Sequence, residues 1–243
     1  MKVYKCELIP HDFLFFVSRD LAKIGVMEHV IHNTALNYAI NHTSRIVSFS
    51  SSPNYDRDIP KFSIRVTPAV PVNRLPEIAF SYNAINDLDL STETTGNYPT
   101  VGKYYKINLG ATMYMKGKEQ FLFSSFRFFA FSFDGISPRR VIRLGKKENH
   151  CIIHSEELSE IKIKQATKEN PIKPSHLINP LEFDGEILYG FPMSFLVIPP
   201  YHLILNCNLV GMYLECKDRE GNKFILIPPK DKTQEMAEFY GCN

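Results

Sequence analysis

Apolar residues in this chain gather in short runs bounded by turn residues, and only one longer segment has helical spacing. Across residues 29–40 the apolar side chains recur three or four positions apart, which predicts an amphipathic helix. Residues 3–9 alternate between apolar and polar side chains, and residues 62–66 are too few for a stable helix, so both segments predict strands. Because sixteen prolines and twelve glycines punctuate the other runs, the chain is predicted to form a strand-rich α+β fold.

The remaining elements are predicted in the same way. Residues 104–115 and 121–133 predict a β-hairpin around the turn at 116–118, and Asp134-Gly135 predicts a tight turn into a strand at 139–144. Residues 76–99 are polar and acidic without a clear period, so they predict an excursion from the core. The charged segment 156–168 predicts a short helix. Further strands are predicted at residues 13–17, 187–189, 195–198, 203–205, 209–216 and 223–227, the last two joined at Glu220-Gly221-Asn222.

A run of phenylalanines allows two interpretations: Phe121, Phe123, Phe126, Phe128, Phe129, Phe131 and Phe133. Their period-two spacing, with a slip near Ser124-Ser125, is typical of a base-stacking sheet and equally of a buried strand with a bulge. Seven aromatic rings are more than one open platform leaves in water, so core packing is the favoured interpretation.

The charge of the chain is unevenly distributed. Its net charge is only +2, but residues 101–147 contain ten Lys/Arg against two acidic residues. Residues 77–93 contain four acidic residues and no Lys or Arg. This polarity indicates a protein that binds an anion on one side and docks a partner on another.

Several function classes find no support in the sequence. Five cysteines without a CxxC pair argue against a disulfide scaffold or a thiolate zinc site and favour a reduced, cytoplasmic setting. The N-terminus has no signal-peptide core, and three prolines interrupt the longest apolar stretch, 187–205, so no membrane contact is predicted. GxGxxG, GxxxxGK[ST] and GxSxG motifs are absent, so no nucleotide cofactor or serine-hydrolase site is expected.

Residues 139–147 combine a strand pattern with concentrated positive charge. Gly145 would let the backbone approach a bulky anion, and the flanking cations suit phosphate, so the segment predicts a strand that meets a phosphodiester chain. The alternative is a basic edge strand whose charges only prevent aggregation. In the glycine-bracketed loop 96–103, Tyr98 and Lys103 could stack a base and hold a phosphate, or the loop is an ordinary turn.

Two histidine pairs are weaker candidates. His29 and His32 lie three residues apart on the predicted helix, but no HExxH motif accompanies them, and capping or surface roles are more common. On a strand, His150 and His154 would point to the same side, where a ribonuclease general base could be placed.

Four segments, in this order, resemble a known family. They are residues 4–8 with 11–20, residues 28–39, the Val-Thr-Pro-Ala-x-Pro segment at 66–71, and Gly102-Lys103 with Lys106, Gly110 and residues 142–146. Together they resemble the Cas-five family of CRISPR-associated proteins, specifically its type I-D member. The quoted motifs lie between residues 2 and 147.

The resemblance implies a fold and a domain organisation. It implies a ferredoxin-like, RNA-recognition-type palm over residues 1–150, with an inserted thumb at about 67–110. Residues 151–243 would form a β-rich C-terminal portion that completes the palm or packs on it. The acidic excursion at 76–99 would suit a thumb or docking insertion, and the basic strand would suit the groove for RNA.

The resemblance also implies a function without catalysis, cofactor or metal. In such complexes the subunit caps the 5′ handle of the guide RNA (crRNA) in a Cascade surveillance complex, beside Cas-seven-type backbone subunits and a Cas-ten-type large subunit. Target DNA is met only through the complex. The residues predicted to bind RNA are Arg19, His32, Asn33, Tyr98, Lys103, Lys106, Arg139, Arg140, Arg143, Gly145, Lys146 and Lys147.

Two other functions stay open. Some relatives in another CRISPR subtype are metal-independent endoribonucleases that cut repeat RNA, for which His29, His32 or a nearby Tyr or Lys would be the material here. A protein-only scaffold without RNA contact is the third hypothesis.

Overall fold

The computed structural model describes residues 1–16, 19–21, 24–41, 53–83, 101–115, 117–145, 149–188 and 194–241. Strands predominate in these ranges and helices are few, which confirms the α+β prediction. The α-helices described are α1 (Asn33–Asn41), α2 (Tyr55–Asp58) and α3 (Thr233–Tyr240). The strands are β1 (Lys2–Pro10), β2 (Arg19–Leu21), β3 (Ile24–Val26), β4 (Ile64–Val66), β5 (Val70–Pro71), β6 (Glu77–Asn83), β7 (Val101–Ile107), β8 (Gly110–Met115), β9 (Lys118–Phe123), β10 (Phe126–Ser132), β11 (Val141–Arg143), β12 (His150–Glu157), β13 (Ser159–Ala166), β14 (Gly185–Leu188), β15 (Ser194–Leu196), β16 (Leu203–Asn206), β17 (Asn208–Lys217) and β18 (Lys223–Leu226).

The main sheet is antiparallel and has the order β11-β12-β1-β10-β4, with β5 also paired to β10. Its central strand β1 alternates, so Tyr4, Cys6 and Leu8 point to one face and Val3 to the other. The predicted domain boundary near residue 150 falls at the start of β12, which pairs with β1 along most of its length. The main sheet therefore combines strands from both sides of the predicted boundary.

Helix α1 covers one face of the main sheet. Leu36 and Ile40 are buried against the apolar side chains of β1 and β10. Two asparagines fasten the helix to β4: Asn37 Oδ1 accepts from Val66 N (2.9 Å), and Asn41 Nδ2 donates to the Ile64 carbonyl (2.8 Å). The helix begins at Asn33, four residues later than the apolar stripe predicted, because Ile31 forms a β-bridge with Ala69 instead.

A second sheet, of order β13-β17-β14 with β18 on β17, covers part of the opposite face. Phe129 and Phe131 of β10 pack there against Leu214 and Leu226, and Met236 of α3 closes the cluster. The helix predicted at 156–168 is wrong, since these residues belong to β12 and β13. Ile161 and Ile163 point inward between lysines, a period-two pattern that the high charge obscured.

The segment between β5 and β10 forms separate sheets. β6 and β7 join β2 and β3 in the order β2-β3-β7-β6, and β8 pairs with β9 as a two-stranded hairpin. The hairpin predicted around residues 116–118 is confirmed as β8 with β9, but its predicted arms, 104–115 and 121–133, are too long, because both segments divide into two strands. Ser124 makes the division, as its N–H donates to the Leu109 carbonyl (2.8 Å) and its hydroxyl donates to the Asn108 carbonyl (2.6 Å).

The phenylalanines divide at the same place. Phe126, Phe128, Phe129 and Phe131 are almost fully buried, which confirms core packing for β10. Phe121 and Phe123 on the hairpin are 54% and 59% exposed. The core prediction therefore holds for β10 and fails for β9.

The other strand predictions differ in outcome. Leu14 makes only a β-bridge with Ile107, so the predicted strand at 13–17 is wrong within its described part. The start of the acidic excursion is strand β6, paired along its length with β7, and residues 84–100 lie outside the described residues. The strands predicted after residue 186 are confirmed with small shifts as β14 to β18. No helix in the described ranges is long and apolar enough to cross a membrane.

Candidate nucleic-acid interface

The second sheet covers only part of one face of the main sheet, and the rest of that face is accessible to solvent. In an antiparallel pair, directly opposed residues point to the same side. Glu7 of β1 is opposed by Arg127 of β10 and by His154 of β12. The next rows toward the end of β1 pair Ile9 with Ile152 and Val141, and then His150 with Arg143. We define the open face as Glu7, Ile9, Arg127, Val141, Arg143, His150, Ile152 and His154.

The open face combines cationic and apolar side chains. Arg143 and both histidines are exposed, and Val141 between them is 54% exposed. Arg127 is half-buried, and its Nε atom is buried without a hydrogen-bond partner among the described residues. A cleft of about 370 Å³ lies beside it and is lined also by Glu7, Val72 and Glu156. A surface of this composition suits phosphates at its cations and bases on its apolar row.

The edge strand β11 presents part of the predicted basic segment. Ile142 and Leu144 are buried in the core below the sheet, so Arg143 projects from the other side. Arg139 and Arg140 precede the strand and are exposed. The Arg140 carbonyl accepts from Ile153 N (2.7 Å), so the hydrogen bonding between β11 and β12 extends toward the N-terminus as far as Arg140. Three predicted RNA-binding arginines therefore lie along one sheet edge.

Gly145 has a role inside the fold. Its φ is +80°, and a Cβ built there would lie 2.7 Å from the Phe15 carbonyl oxygen. Both the left-handed backbone and the close approach of Phe15 require glycine. The close contact that the sequence predicted for an anion is here made by the chain itself. Lys146 and Lys147 lie outside the described residues.

His32 and Asn33 are buried where α1 begins. His32 Nδ1 accepts from Thr34 N (3.1 Å) and Nε2 donates to the Tyr201 carbonyl (3.1 Å). This arrangement requires the neutral ring, and burial lowers the pKa of His32 to about 4. Asn33 Oδ1 accepts from Asn179 Nδ2 (3.3 Å). These contacts favour a structural role for His32 and Asn33, and RNA binding by these two residues stays a prediction.

The remaining predicted residues belong to the inserted sheet or lie outside the described ranges. Arg19 is on β2 and Lys103 on β7, strands of one sheet whose neighbour β3 pairs Ile24 with Lys103. Lys106 is half-buried, with its Nζ atom 5.9 Å from the centroid of the Phe13 ring. Tyr98 lies outside the described residues. The structure thus brings the arginines of 139–143 together but places these cations on another sheet.

Sequence reasoning missed Arg127 and underrated the histidine pair. Arg127 lies among phenylalanines, and only its pairing with Glu7 shows that it reaches the open face. His150 and His154 do point to one side of β12, as their spacing predicted. The signal in the sequence was the period-two alternation of β10 and of β12. The sequence does not reveal how these two strands are aligned with β1, so it could not show that their side chains share one face.

The described cysteines and acidic groups form no obvious reactive centre. Cys6, Cys151, Cys207 and Cys216 are buried and unpaired. Burial raises the pKa of the Cys151 thiol to about 12 and that of Cys207 to about 11, so both are protonated near neutral pH. Within the described part of the chain, no group of three or more His, Cys, Asp or Glu side chains could hold a metal ion.

Comparisons with known proteins identify the family. The sequence model described as "Type I-D CRISPR-associated protein Cas5/Csc1" matches residues 1–234. A comparison with curated proteins gives no match. Among solved structures, a chain from "Cryo-EM structure of the Type III-B Cmr-beta bound to cognate target RNA and AMPPnP, state 1" is similar over 97% of this chain and 88% of its own, with 10% identity and a TM-score of 0.39. Because the family match covers nearly the whole sequence, the chain belongs to the type I-D Cas5/Csc1 family of CRISPR-associated proteins.

Proposed function

We propose that this protein is the non-catalytic subunit that binds the 5′ handle of crRNA in a type I-D Cascade complex of the cytoplasm. In that role it caps the guide RNA and docks Cas-seven-type backbone subunits and a Cas-ten-type large subunit in antiviral defence. Target DNA is reached through the complex. The observation that carries the proposal is the open face, where arginines and histidines flank a partly exposed apolar row in a protein of this family.

The chemistry of the open face suits single-stranded RNA. Proteins read unpaired RNA by placing bases on apolar or aromatic surfaces while cations hold the phosphates. The Ile9, Ile152 and Val141 row provides the apolar surface, and Arg127 and Arg143 lie on the rows to either side. Glu7 faces both Arg127 and His154, so it partly offsets their charge and is a natural acceptor for an amino group of a base.

We propose an assignment of the palm and the thumb to strands of the structure. We propose that β12-β1-β10-β4, with α1 between β1 and β4 in the chain, is a ferredoxin-like palm. What supports this is an antiparallel sheet in which the first strand lies between the last and the third. We propose that the thumb comprises β6 to β9, which extends the predicted region of about 67–110 to residue 123.

The test is an RNA-binding titration with the double variant Arg139→Ala/Arg143→Ala. Both side chains are exposed, so the substitutions spare the core. We expect weaker binding to single-stranded handle RNA. The slope of log K against log salt should fall by about 0.7 for each phosphate that the protein no longer neutralises, hence by about 1.4 for two.

Lys168→Ala provides the matched control. Lys168 is also an exposed cation, with 70% of its side chain accessible, but it follows β13 and pairs with Glu186 (2.9 Å) on the second sheet. The Lys168→Ala variant should change neither the affinity for RNA nor the slope of log K against log salt. If the double variant binds like the wild type at every salt concentration, the open face is not the RNA site.

A further inference from the structure

A small apolar cavity lies next to the end of the basic edge strand. Its volume is about 220 Å³, and its walls include Phe16, His32, Ala35, Leu144, Gly145 and Ile198. Helix α1 contributes to its walls through Ala35, and the turn that follows β11 contributes through Leu144 and Gly145. The cavity therefore begins at Leu144, one residue after Arg143, on the side of the sheet where Ile142 and Leu144 point.

The walls of the cavity are held in place but provide few polar contacts. Both ring nitrogens of His32 are engaged within the fold, by Thr34 and Tyr201, so the ring presents a neutral, immobile plane. Gly145 turns tightly over the Phe15 carbonyl, which fixes the backbone of this wall. An occupant would be held by contact with flat and apolar surfaces, because the described residues that line the cavity carry no charge.

We propose that this cavity receives one unpaired base of the RNA whose phosphates lie along the β11 edge. The inference rests on the proposed RNA-binding function and adds a specific site to it. A nucleobase is flat and apolar on its faces while its backbone is anionic. This matches an apolar cavity under the edge strand whose opposite side carries Arg143, so a base would turn around the edge at Gly145 to reach it. An aliphatic side chain from a protein partner would fill the cavity equally well but would not require the cationic edge.

The character of the walls also determines selectivity. Stacking on Phe16 and His32 discriminates little between bases, because every base has a π-face. Reading a particular base requires hydrogen bonds to its edge, and the His32 nitrogens are already used. The cavity should thus accept any base at one position of the RNA, with a preference set by size.

The experiment uses the full-length protein and short single-stranded RNAs in which 2-aminopurine is moved one position at a time. At one position, bound wild-type protein should protect the fluorescent base from quenching by acrylamide. Ala35→Phe adds a ring at an exposed helical position that lines the cavity. It should abolish that protection and weaken binding about tenfold, the effect of losing one stacked base. Gln234→Phe, an exposed position of α3, is the control and should change neither.

The outcomes separate this site from the wider proposal. Binding with no protected position, or protection that Ala35→Phe leaves intact, would overturn the cavity proposal while RNA binding stands. An abasic RNA at the protected position that binds as tightly as the intact RNA would also overturn it. If wild-type protein binds none of the RNAs, the proposed function fails and this inference with it.

Discussion

Acidification should destabilise the protein through His32, and the size of the effect follows from the burial of its ring, which lowers its pKa. In the folded protein Nδ1 accepts from Thr34 N and Nε2 donates to the Tyr201 carbonyl. Adding a proton to Nδ1 would remove the acceptor for Thr34 and place a positive charge at the N-terminus of α1, where the helix dipole opposes it. Burial acts in the same direction, and the pKa of His32 is lowered from its ordinary 6.5 to about 4.

The sign follows from which state binds the proton more readily. Because the folded-state pKa lies below the unfolded one, the unfolded chain takes up the proton first as the pH falls. His32 therefore contributes fully to the free energy of unfolding above about pH 6.5, and this contribution is lost progressively as the pH falls toward 4. At about pH 4.5 the loss amounts to about 2.5 kcal/mol, from about 1.4 kcal/mol per pKa unit.

The assay is urea unfolding of the wild type and of His32→Gln at about pH 7 and about pH 4.5. The glutamine amide can still donate to Tyr201 but does not titrate, so the variant should be about 1 kcal/mol less stable at pH 7. It should lose about 2.5 kcal/mol less than the wild type on acidification. His176, whose pKa burial also lowers to about 4, titrates in both proteins and cancels in the comparison. Equal losses in the two proteins would refute the reasoning.

Two further predictions concern Gly145 and catalysis. Gly145→Ala should lower the free energy of unfolding by about 2 kcal/mol, because it combines a positive φ with a contact to the Phe15 carbonyl. Gly135→Ala, at φ +78° with open space around the Cβ, should cost only about 1 kcal/mol, and equal losses in urea unfolding would contradict this. Repeat RNA incubated with the protein in EDTA should stay intact, since both ring nitrogens of His32 are engaged within the fold. A specific 2′,3′-cyclic-phosphate product on a denaturing gel would show nuclease activity instead.

Local patterns predicted those elements that local chemistry determines. The closing hairpin is an example, because Asp218 accepts from the backbone N–H groups of Glu220 and Asn222 and so builds the predicted turn from neighbouring residues. The division at Ser124 was predicted only in part. The phenylalanine spacing slips near Ser124-Ser125, but the break into two separate strands depends on hydrogen bonds to residues 108 and 109, which no local pattern shows.

The candidate site required long-range information. The basic segment 139–143 could be recognised because its charges are adjacent in sequence. Arg127 reaches the same face only through the register of β10 on β1 and of β1 on β12, and His154 joins it by the same route. A shift of one residue in either pairing would turn these side chains into the core. Sequence alternation indicates which residues share a face of one strand but not which strands are neighbours.

The position of the open face follows from where the second sheet stops. Lys5 lies one row before Glu7 and Arg127, and its Nζ atom donates to Asp218 Oδ2 (2.7 Å) in the turn between β17 and β18. Lys5 holds the pKa of the buried Asp218 carboxyl below its usual range, so the pair stays ionised near neutral pH. The Lys5 ammonium group is therefore neutralised by Asp218 of the second sheet and adds no net charge to the surface. The cations of the open face therefore begin at the Arg127 row and continue to Arg143, so a bound RNA strand is expected at the Pro10 end of β1.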